Sequence, residues 1–405
     1  MLLEKLLHIV AKIRCLRPFE MKLKTTELHI HGPNRPFQVL GTMSGTSMDA
    51  LDIVEAKFTF VDGRWEGSIE ALHEVPLGAS WPERFKALTR ARAVDWFECE
   101  REWSRWCAEQ IAACTDPRQF DLVAFSGQTI FHQPAQGYTA QLGSGAELHA
   151  AFDAAVPVVS DLRSLDVALG GQGAPLVPVA DALLFGEFEA CLNLGGFSNI
   201  SMDRAGCRLA FDVSPCNLVL NNLARRKGLP YDDSGRLAAS GRVISKLLED
   251  WINLPYHKQS GPKSLGVEWL EHSFWPVLEQ HECNMSLATE DLLATAVAYI
   301  AVQVRLAAKG GKTLVTGGGA LNVELLRRFE ETRPIGQVDA PFDVIVPDAV
   351  LIQGKEAFAF GFLGLLRWLE CDNVWPEVTG CSHGHMGGAL WGKNGLSSLS
   401  PISMQ

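Results

Sequence analysis

Residues 37–58, FQVLGTMSGTSMDALDIVEAKF, decide the fold of this chain. An apolar run over 37–41 leads into a turn rich in glycine and hydroxyl side chains, and residues 51–58 then alternate apolar and polar side chains. Such alternation is typical of a half-buried strand. The segment therefore predicts a strand, a glycine turn and a second strand. Because glycine has no Cβ, the backbone of this turn is open to close approach by a ligand.

Two later segments also combine an apolar strand with a glycine turn. Residues 190–201, ACLNLGGFSNIS, predict strand, tight turn and strand, and residues 312–316 predict a strand that ends at the glycines 317–319. Further short strands are predicted at 120–125 and 156–160. No internal repeat is obvious in the sequence.

Helical periodicity marks the segments between these strands. The predicted helical segments are 82–114, 291–308 and 320–331. The first carries three tryptophans at helical spacing, which favours a buried stripe over a sugar-stacking platform. These are Trp96, Trp103 and Trp106. The alternation of strands and helices predicts the α/β class.

Composition narrows the class of protein. The chain has 405 residues, of which 47% are apolar and 20% charged, and a chain of this kind folds into two or three domains. No uninterrupted apolar run reaches the roughly 18 residues of a membrane span. The formal net charge is −11, and the one dense basic cluster, at 225–227, is typical of a solvated helix end. We therefore expect neither a membrane nor a nucleic-acid partner.

The ten cysteines include no C-x-x-C pair and no regular framework, which is typical of reduced thiols in a cytosolic enzyme. Cys381, His383 and His385 lie within five residues of one another. Three ligands so close in sequence give poor tetrahedral geometry, and no second ligand pair is evident, so the sequence does not favour a metal ion there. Residues 1–36 are set aside as a peripheral extension, since charged residues interrupt their apolar run and no signal-peptide cleavage site follows.

The glycine turns and nearby carboxylates point to chemistry on phosphate. Successive backbone N–H groups in such turns form an anion cradle, and three of them beside hydroxyl or amide side chains favour a nucleotide. Phosphoryl transfer also needs magnesium and a group that orients or deprotonates the nucleophile. Asp49 and Asp52 are candidates to hold magnesium through water. Asp212 follows an apolar strand, and its type fits either a general base or the N-cap of the next helix.

Nine motifs in this sequence resemble, in the same order, those of the anhydro-N-acetylmuramic acid kinases, and together they span about residues 38–392. They are GTMSGTSMDALD at 41–52, GQTI at 127–130 with His132 and Pro134, D-x-R-x-x-D at 161–166 with GGQGAPLVP at 170–178, NLGGFSNI at 193–200, Phe211-Asp212 with Pro215 and Asn217, GPKS at 261–264, GGGALN at 317–322, KEA at 355–357, and P-x-x-T-G at 376–380.

The resemblance implies the two-lobed actin-like ATPase (sugar-kinase) fold, with a mixed sheet and flanking helices in each lobe and an ATP cleft between the lobes. We expect the N-terminal lobe at 37–165 and the C-terminal lobe at 166–370. Residues 371–395 are expected to pack back on the N-terminal lobe.

The resemblance also implies an activity. Members of this family use ATP and Mg²⁺ to open the 1,6-anhydro ring of anhydro-N-acetylmuramic acid with water and phosphorylate O6. The product, N-acetylmuramate 6-phosphate, belongs to peptidoglycan recycling in the bacterial cytoplasm. The expected partners are therefore the sugar and ATP, and a homodimer is left open.

The motifs carry site residues over by position. Asp212 falls on the base that activates water. The residues on the phosphate-and-magnesium motif are Gly45, Thr46, Ser47, Met48, Asp49, Ala50, Leu51 and Asp52. Those on the turns around the nucleotide are Gly195, Gly196, Gly317, Gly318 and Gly319. Those on sugar contacts are Gln128, Arg163, Asp166 and Glu356. A structural ion pair between Arg163 and Asp166, and a helix N-terminal charge at Glu356, stay open as alternatives.

Some positions depart from the family's usual pattern. They are Ala50, Ser126, Ser214, Cys216, Leu265 and Val267. Ser214 and Cys216 stand where glycines are usual, and they would strain the loop if the backbone there needs positive φ. Two alternatives therefore stay open: a kinase for another anhydrosugar such as levoglucosan, and a catalytically weak relative that binds nucleotide or sugar.

Overall fold

The computed structural model describes residues 35–45, 48–259, 263–283, 286–308, 310–333 and 341–395. The strands of this part of the chain form two sheets. They are β1 (Phe37–Ser44), β2 (Ala50–Val61), β3 (Arg64–Pro76), β4 (Leu122–Gln133), β5 (Tyr138–Leu142), β6 (Val158–Ser160), β7 (Ala190–Leu194), β8 (Phe197–Arg204), β9 (Cys207–Pro215), β10 (Gly311–Thr316), β11 (Phe342–Ile345) and β12 (Ala389–Trp391).

The α-helices pack on these sheets. They are α1 (Ser80–Leu88), α2 (Ala93–Cys114), α3 (Gly145–Ala151), α4 (Ser164–Ala168), α5 (Val177–Leu184), α6 (Asn217–Arg225), α7 (Arg236–Ser240), α8 (Ser245–Ile252), α9 (Val267–Trp269), α10 (Trp275–Glu282), α11 (Thr289–Ala308), α12 (Val323–Glu331), α13 (Ala349–Trp368) and α14 (Pro376–Thr379). A π-helical turn, Leu270–Phe274, joins α9 to α10, and short 3-10 turns occupy several connections, among them Gly318–Leu321.

Both sheets are built on the same plan. The first has the order β12-β6-β4-β1-β2-β3, with β5 paired to β4, and the second has the order β11-β10-β7-β8-β9. In each, the first three strands form an antiparallel meander, and two later strands extend it in parallel from its first strand. The two mixed sheets confirm the predicted α/β class with one sheet per lobe. They also reveal a structural repeat that the sequence does not show.

The long helix α13 packs on the first sheet and supplies much of the hydrophobic core there. It packs mainly against β1, β2 and β4, and it also touches β10 and the turn Gly318–Leu321. A Cβ on Gly41 would lie 2.1 Å from the carbonyl oxygen of Ala357, so only glycine permits this close packing. The helix falls within 166–370, the range predicted for the second lobe, yet its main contacts are with the first sheet. The division of the chain into lobes stays a prediction, and α13 has to be counted with the first.

The second sheet is covered by α11, which contacts α6, α7, α8 and α12. Both α11 and α13 are long and apolar enough to span a membrane, but 78% and 72% of their most apolar windows are buried inside the protein. Burial of this kind is typical of the core helices of a globular protein. The helix predicted at 291–308 is thus confirmed.

The tryptophan stripe predicted on residues 82–114 is confirmed as packing. Trp103 is fully buried, and its ring stacks on Trp106 at 5.1 Å between centroids. The segment itself is two helices, because the chain turns between α1 and α2 at residues 89–92.

Candidate active site

The last residue of β1 is joined to β4 by a buried hydrogen bond. Ser44 Oγ donates to Gln128 Oε1 at 2.6 Å, and both side chains are buried. Gln128, predicted to contact a sugar, therefore uses its amide oxygen inside the sheet. Of the predicted phosphate motif, Thr46 and Ser47 lie outside the described residues. Met48 adopts the left-handed conformation at φ +57°, which is uncommon for a residue with a Cβ.

Three other carboxylates are close enough to Asp52, near the start of β2, to affect its ionisation. Asp52 lies opposite Glu74 in the β2–β3 pairing. Burial, followed by the negative charges of Glu74, Asp49 and Glu356, raises the pKa of Asp52 to about 7. A divalent cation relieves such repulsion, and carboxylate oxygens are the ligands that Mg²⁺ prefers. The donor set therefore fits the predicted magnesium site at Asp49 and Asp52.

Arg163 and Glu356 come together on the face of α13. The side chain of Glu356 is exposed, yet burial raises its pKa while Arg163 and Lys355 oppose the rise. The carboxylate is therefore accessible to solvent although protein atoms lie close around it. The Arg163 guanidinium lies 5.3 Å from the ring centre of Phe360, one helical turn beyond Glu356, and it donates to the carbonyl oxygen of Gly173 at 2.7 Å.

Asp166 is placed differently from the prediction. Its side chain is fully buried, and its two oxygens accept hydrogen bonds at 2.6 Å from the backbone N–H of Gly173 and from Thr379 Oγ1. It forms no ion pair with Arg163 among the described residues. Asp166 thus holds the 170–173 loop against α14, and a sugar contact would need it exposed. The described contacts favour a structural role for Asp166, and its contact with the sugar stays a prediction.

Asp212 lies within β9, beside an irregularity in the β8–β9 pairing. Ser198 faces Ser214 and Asn199 faces Asp212, so Val213 is an extra residue on β9. Bulges of this kind redirect side chains and are frequent next to active sites. The helix α6 begins five residues later with Cys216 as its N-cap residue, so the alternative in which Asp212 caps that helix is wrong.

The Asp212 carboxylate is fixed without being neutralised. Its Oδ2 accepts a hydrogen bond from the N–H of Leu265 at 2.8 Å, and no basic side chain pairs with it in the described part of the chain. Burial raises its pKa, and the bond from Leu265 opposes the rise. A half-buried carboxylate with a raised pKa and no cationic partner has the properties of a general base.

Two residues that the sequence did not single out as site residues hold Asp212 from behind. Tyr256 OH donates to the backbone carbonyl oxygen of Asp212 at 2.7 Å, and the N–H of Asp212 donates to the carbonyl oxygen of Lys263 at 3.0 Å. The Lys263 ammonium lies over the Tyr256 ring, 4.3 Å from its centre. Lys263 belongs to the GPKS motif, but nothing in the sequence around Tyr256 marks this contact.

The two glycine turns of the second sheet meet at the carboxyl ends of neighbouring parallel strands. Gly195 and Gly196 follow β7, Gly317 follows β10, and the two strands are paired up to Asn193 and Thr316. A Cβ on Gly317 would lie 2.4 Å from Asn193 Oδ1, and its φ is +78°. Ligands of open α/β sheets bind outside the carboxyl ends of the strands. The predicted nucleotide residues of this lobe are therefore together at such an edge.

The start of α6 fixes these turns. The backbone N–H groups of Cys216 and Asn217 donate to the carbonyl oxygens of Gly196 and Gly195, and Asn217 Nδ2 donates to that of Leu194. Neither Ser214 nor Cys216 has positive φ, so the left-handed backbone that would strain a side chain at these positions is absent. The open alternative of a catalytically weak relative loses its motive.

A surface depression of about 460 Å³ lies at the other end of the second sheet, lined by Gly311 and Lys312 at the start of β10 and by Glu189 before β7. It is at the amino ends of these strands, away from every predicted site residue. None of the residues predicted to carry the chemistry lines this depression.

A buried charge network, also missed in the sequence, connects the two sides of the site. Lys355 Nζ lies 2.8 Å from Asp181 Oδ1, Ser201 Oγ donates to Asp181 Oδ2 at 2.6 Å, and Arg208 Nη2 donates to Ser201 Oγ at 2.9 Å. Burial opposes the charge of Lys355, but Asp181 keeps the pKa of this lysine above its ordinary value. Lys355 precedes Glu356 on α13, and Arg208 is on the strand of Asp212, so the network spans both lobes.

A family model described as "Anhydro-N-acetylmuramic acid kinase" matches residues 37–393. The anhydro-N-acetylmuramic acid kinase of Pseudomonas fluorescens (strain Pf0-1) is 32% identical over 381 residues, which cover 87% of this chain and 98% of the relative. The protein of the same name from Paramagnetospirillum magneticum (strain ATCC 700264 / AMB-1) is 33% identical over 367 residues, which cover 86% of this chain and 98% of the relative.

The solved structures that match are less similar to this chain. Component A of the (R)-2-hydroxyglutaryl-CoA dehydratase from Acidaminococcus fermentans covers 81% of this chain and 97% of its own, with a TM-score of 0.41 and 14% identity. A ROK family glucokinase from Streptomyces griseus in complex with glucose and AMPPNP covers 81% of this chain and 99% of its own, with a TM-score of 0.37 and 11% identity. Scores this low add nothing to the strand order described above.

Proposed function

This chain belongs to the anhydro-N-acetylmuramic acid kinase family, and we propose that it opens the 1,6-anhydro ring of anhydro-N-acetylmuramic acid with water and phosphorylates O6 with ATP. The products are N-acetylmuramate 6-phosphate and ADP. The observation that carries the proposal is the Asp212 carboxylate, held at a bulge by Leu265 and Tyr256 without a cationic partner in the described chain.

Asp212 is the proposed base. It takes a proton from water as the water oxygen bonds to the anomeric carbon, and the bond from that carbon to the bridging O6 breaks on the opposite face. One carboxylate and one water on the face opposite the leaving oxygen are the arrangement of inverting glycosidic cleavage. The freed O6 then bonds to the γ-phosphorus of ATP and ADP leaves, so no acid is needed to protonate O6.

Arg163 and Glu356 are the proposed sugar contacts that the geometry supports best. Arg163 is close to the accessible carboxylate of Glu356 and is held by Gly173, so its guanidinium has a fixed position. A guanidinium suits the carboxylate of the lactyl group, because it binds such groups with two parallel hydrogen bonds. Glu356 suits a sugar hydroxyl. Binding both substrates in fixed positions supplies the proximity that two coupled steps need.

The glycines 195–196 and 317–319 are the proposed nucleotide contacts of the second lobe, and residues 45–52 those of the first. Asp49 and Asp52 are the proposed magnesium ligands, through water, because the acidic cluster around them fits a divalent cation. Magnesium, when bound there, would neutralise charge on the ATP phosphates.

The setting of the reaction is proposed to be the reducing cytoplasm. The cysteines in the described part of the chain are all free thiols. The chain is acidic, with a formal net charge of −11, and its two long apolar helices are buried. These observations support small molecules, rather than a membrane or nucleic acid, as the partners of the site.

Phosphorus NMR of the reaction of the purified chain with anhydro-N-acetylmuramic acid and ATP tests the proposal. The expected product is the 6-phosphate, with levoglucosan in place of the sugar as the specificity control. In water enriched in heavy oxygen, the label should appear at the anomeric hydroxyl and not in the phosphate ester. Phosphorylation of levoglucosan alone would support the alternative substrate, and no product from folded protein would contradict both.

A further inference from the structure

Three metal-ligating side chains meet at the back of the 170–173 loop, in a place that the proposed reaction does not use. They are Asp166 of α4, and Cys381 and His385 of the segment after α14. Each offers one ligand atom, and these atoms all lie within 4.8 Å of one another. The relative exposures of the three residues are 0%, 5% and 6%.

His385 presents an unpartnered nitrogen to this cluster. Its Nδ1 lies 3.2 Å from the carbonyl oxygen of His383, a distance at which Nδ1 donates. That bond leaves the lone pair on Nε2, which has no hydrogen-bond partner among the described residues although it is buried. Asp166 Oδ1 is 4.0 Å from Nε2, too far for a hydrogen bond. A metal-binding histidine has this arrangement, with its other nitrogen bonded to an oxygen.

The two other donors are also oriented by neighbours. Thr379 Oγ1 donates to Asp166 Oδ1 at 2.6 Å, which fixes the carboxylate and leaves further lone pairs on its oxygens. The Cys381 thiol donates a hydrogen bond to the carbonyl oxygen of His383 at 3.2 Å, the oxygen that also accepts from His385 Nδ1, and this thiol bond is given up when zinc replaces the proton. One thiolate, one imidazole and one carboxylate are the donor types that zinc accepts.

We propose that Asp166, Cys381 and His385 bind a zinc ion, with water as the fourth ligand. Neighbouring donors of a tetrahedral zinc site are roughly 3.3–3.8 Å apart, so a cluster whose ligand atoms lie within 4.8 Å of one another needs to contract by at most about 1.5 Å. On binding, the Cys381 thiol loses its proton to solvent and a sulfur–zinc bond forms, with no change in oxidation state. His383 is not among the ligands. The objection from three ligands crowded within five residues therefore does not apply, because the third comes from α4.

The ion would fasten the C-terminal segment to the loop that holds Arg163. Hydrogen bonds already join these parts, from the N–H of Ser382 to the carbonyl oxygen of Leu169 and from the N–H of Gln172 to that of Thr379. A Cβ on Gly171 would lie 2.3 Å from the Asp166 carboxylate, so the loop is closely packed around this ligand. Zinc adds a cross-link on the far side of Asp166 and has a structural role.

The test is a Co²⁺ titration of the full chain after its metals have been removed with a chelator. We expect one equivalent of Co²⁺ to produce a near-ultraviolet thiolate charge-transfer band and the intense visible bands of a tetrahedral site. Cys381→Ser should lose the charge-transfer band, and His385→Ala should weaken Co²⁺ binding at least tenfold, the size of effect usual for metal-site changes. Added Zn²⁺ should displace Co²⁺ from the site. Because Zn²⁺ has a filled d shell, the visible bands should then disappear.

Matched controls lie nearby. Cys371 is a half-buried thiol ten residues before Cys381, and His383 is two residues before His385. Cys371→Ser and His383→Ala should leave the spectrum and the affinity unchanged. The proposal is overturned if no thiolate band forms with one equivalent of Co²⁺, if the band survives Cys381→Ser, or if it depends on His383 instead of His385.

Thermal unfolding gives a second readout that does not depend on activity. Zn²⁺ binds the folded chain in preference to the unfolded one, so it should raise the Tm of the wild type and not that of Cys381→Ser. Circular dichroism of the metal-free forms shows whether each variant folds. If Cys381→Ser does not fold, the Co²⁺ titration and the thermal unfolding are made with Cys381→Ala and His385→Ala instead. Equal stabilisation of all variants by Zn²⁺ would contradict the site.

Discussion

At the scale of single residues, the site depends on what surrounds each carboxylate. Asp212 lies in a strand and Asp166 in a short helix, and sequence alone made both of them site candidates. Asp166 has hydrogen-bond donors on both oxygens and no exposed surface, whereas Asp212 is half-buried and accepts from one backbone N–H. Only the second is left able to accept a proton from a ligand.

Asp212→Asn is expected to lower kcat at least a hundredfold, because removing a general base costs about 10²–10⁴ in rate. Asparagine keeps an oxygen for the N–H of Leu265, so the fold and ATP binding should be retained. Steady-state kinetics and nucleotide calorimetry measure the two effects. Asp343→Asn, which alters an exposed carboxylate on β11, is the control and should leave both unchanged.

The pH profile provides a further check on Asp212. Its pKa is raised by burial, and the base works only when deprotonated, so kcat/KM of the wild type should fall with decreasing pH through a pKa above the ordinary 3.8. Turnover by Asp212→Asn within about tenfold of the wild type, a barrier change below about 1.4 kcal/mol, would show that the base is elsewhere.

Asp52→Asn is expected to stabilise the magnesium-free protein. The folded chain holds the Asp52 proton up to about pH 7 and the unfolded chain only to about 3.8, so the folded state binds more protons in between. The free energy of unfolding of the wild type therefore falls as pH rises through this window. At about pH 8 the variant should be more stable by roughly 1–2 kcal/mol, after allowance for solvent screening, and less so at about pH 5.

Urea denaturation without divalent cations measures this difference at the two pH values. Glu66→Gln, which removes an exposed charge from β3, is the control and should change stability little. Magnesium should stabilise the wild type more than Asp52→Asn, and activity should need more magnesium in the variant. Equal stability of wild type and Asp52→Asn at the higher pH would contradict the repulsion among these carboxylates.

At the scale of elements, the glycine turns are fixed by contacts that a Cβ would occupy. Gly317 combines positive φ with a close approach to Asn193 and Leu194. Gly206, in the turn between β8 and β9, has a similar φ of +80°, but a Cβ at this position would have no neighbour within 4 Å. Substitutions at Gly206 and Gly317 therefore separate the cost of an unfavourable backbone conformation from the cost of a steric clash.

Gly206→Ala is expected to cost about 1 kcal/mol through backbone conformation alone. Gly317→Ala should cost roughly 1–2 kcal/mol more, because the new methyl group displaces neighbouring backbone. If this turn contacts the nucleotide, Gly317→Ala should also raise the KM for ATP, and Gly206→Ala should not. Denaturation and steady-state kinetics measure the two effects, and identical behaviour of the two variants would contradict the role of the turn.

Local sequence patterns predicted the helices and strands better than they predicted contacts between distant residues. Apolar runs that end in glycine gave β1, β7 and β10, because strand and turn preferences act over a few residues. The interruption between α1 and α2 was missed, since apolar periodicity continues on both sides of residues 89–92. Contacts such as Lys355 with Asp181 join residues far apart in the chain. No local pattern encodes such contacts.

At the scale of the whole molecule, α13 relates the two sheets to the site. It packs on the first sheet, touches the turn after β10, and carries both Lys355 and Glu356. The helix α5 lies beside it and contacts β3 of the first sheet and β8 and β9 of the second. The ion pair between Lys355 and Asp181 therefore joins α13 to a helix that both lobes share.

Lys355→Met is expected to destabilise the protein by about 3–5 kcal/mol, because it leaves the charge of Asp181 buried without its partner. Combining Lys355→Met with Asp181→Asn removes that charge, and the asparagine side-chain oxygen can still accept the hydrogen bond from Ser201. The double variant should therefore recover part of the lost stability. Lys246→Met, which breaks exposed ion pairs with Glu249 and Asp250, is the matched control and should cost less than about 1 kcal/mol.

Activity distinguishes a network that only stabilises the fold from one that also positions the site. Lys355 precedes Glu356, and Arg208 shares β9 with Asp212, so the double variant should keep a raised KM for the sugar after its stability has recovered. Thermal unfolding and substrate kinetics on the same samples make the comparison. If KM recovers fully together with stability, the network only stabilises the fold. If Lys355→Met lowers the free energy of unfolding no more than Lys246→Met does, the proposed buried coupling of the lobes is contradicted.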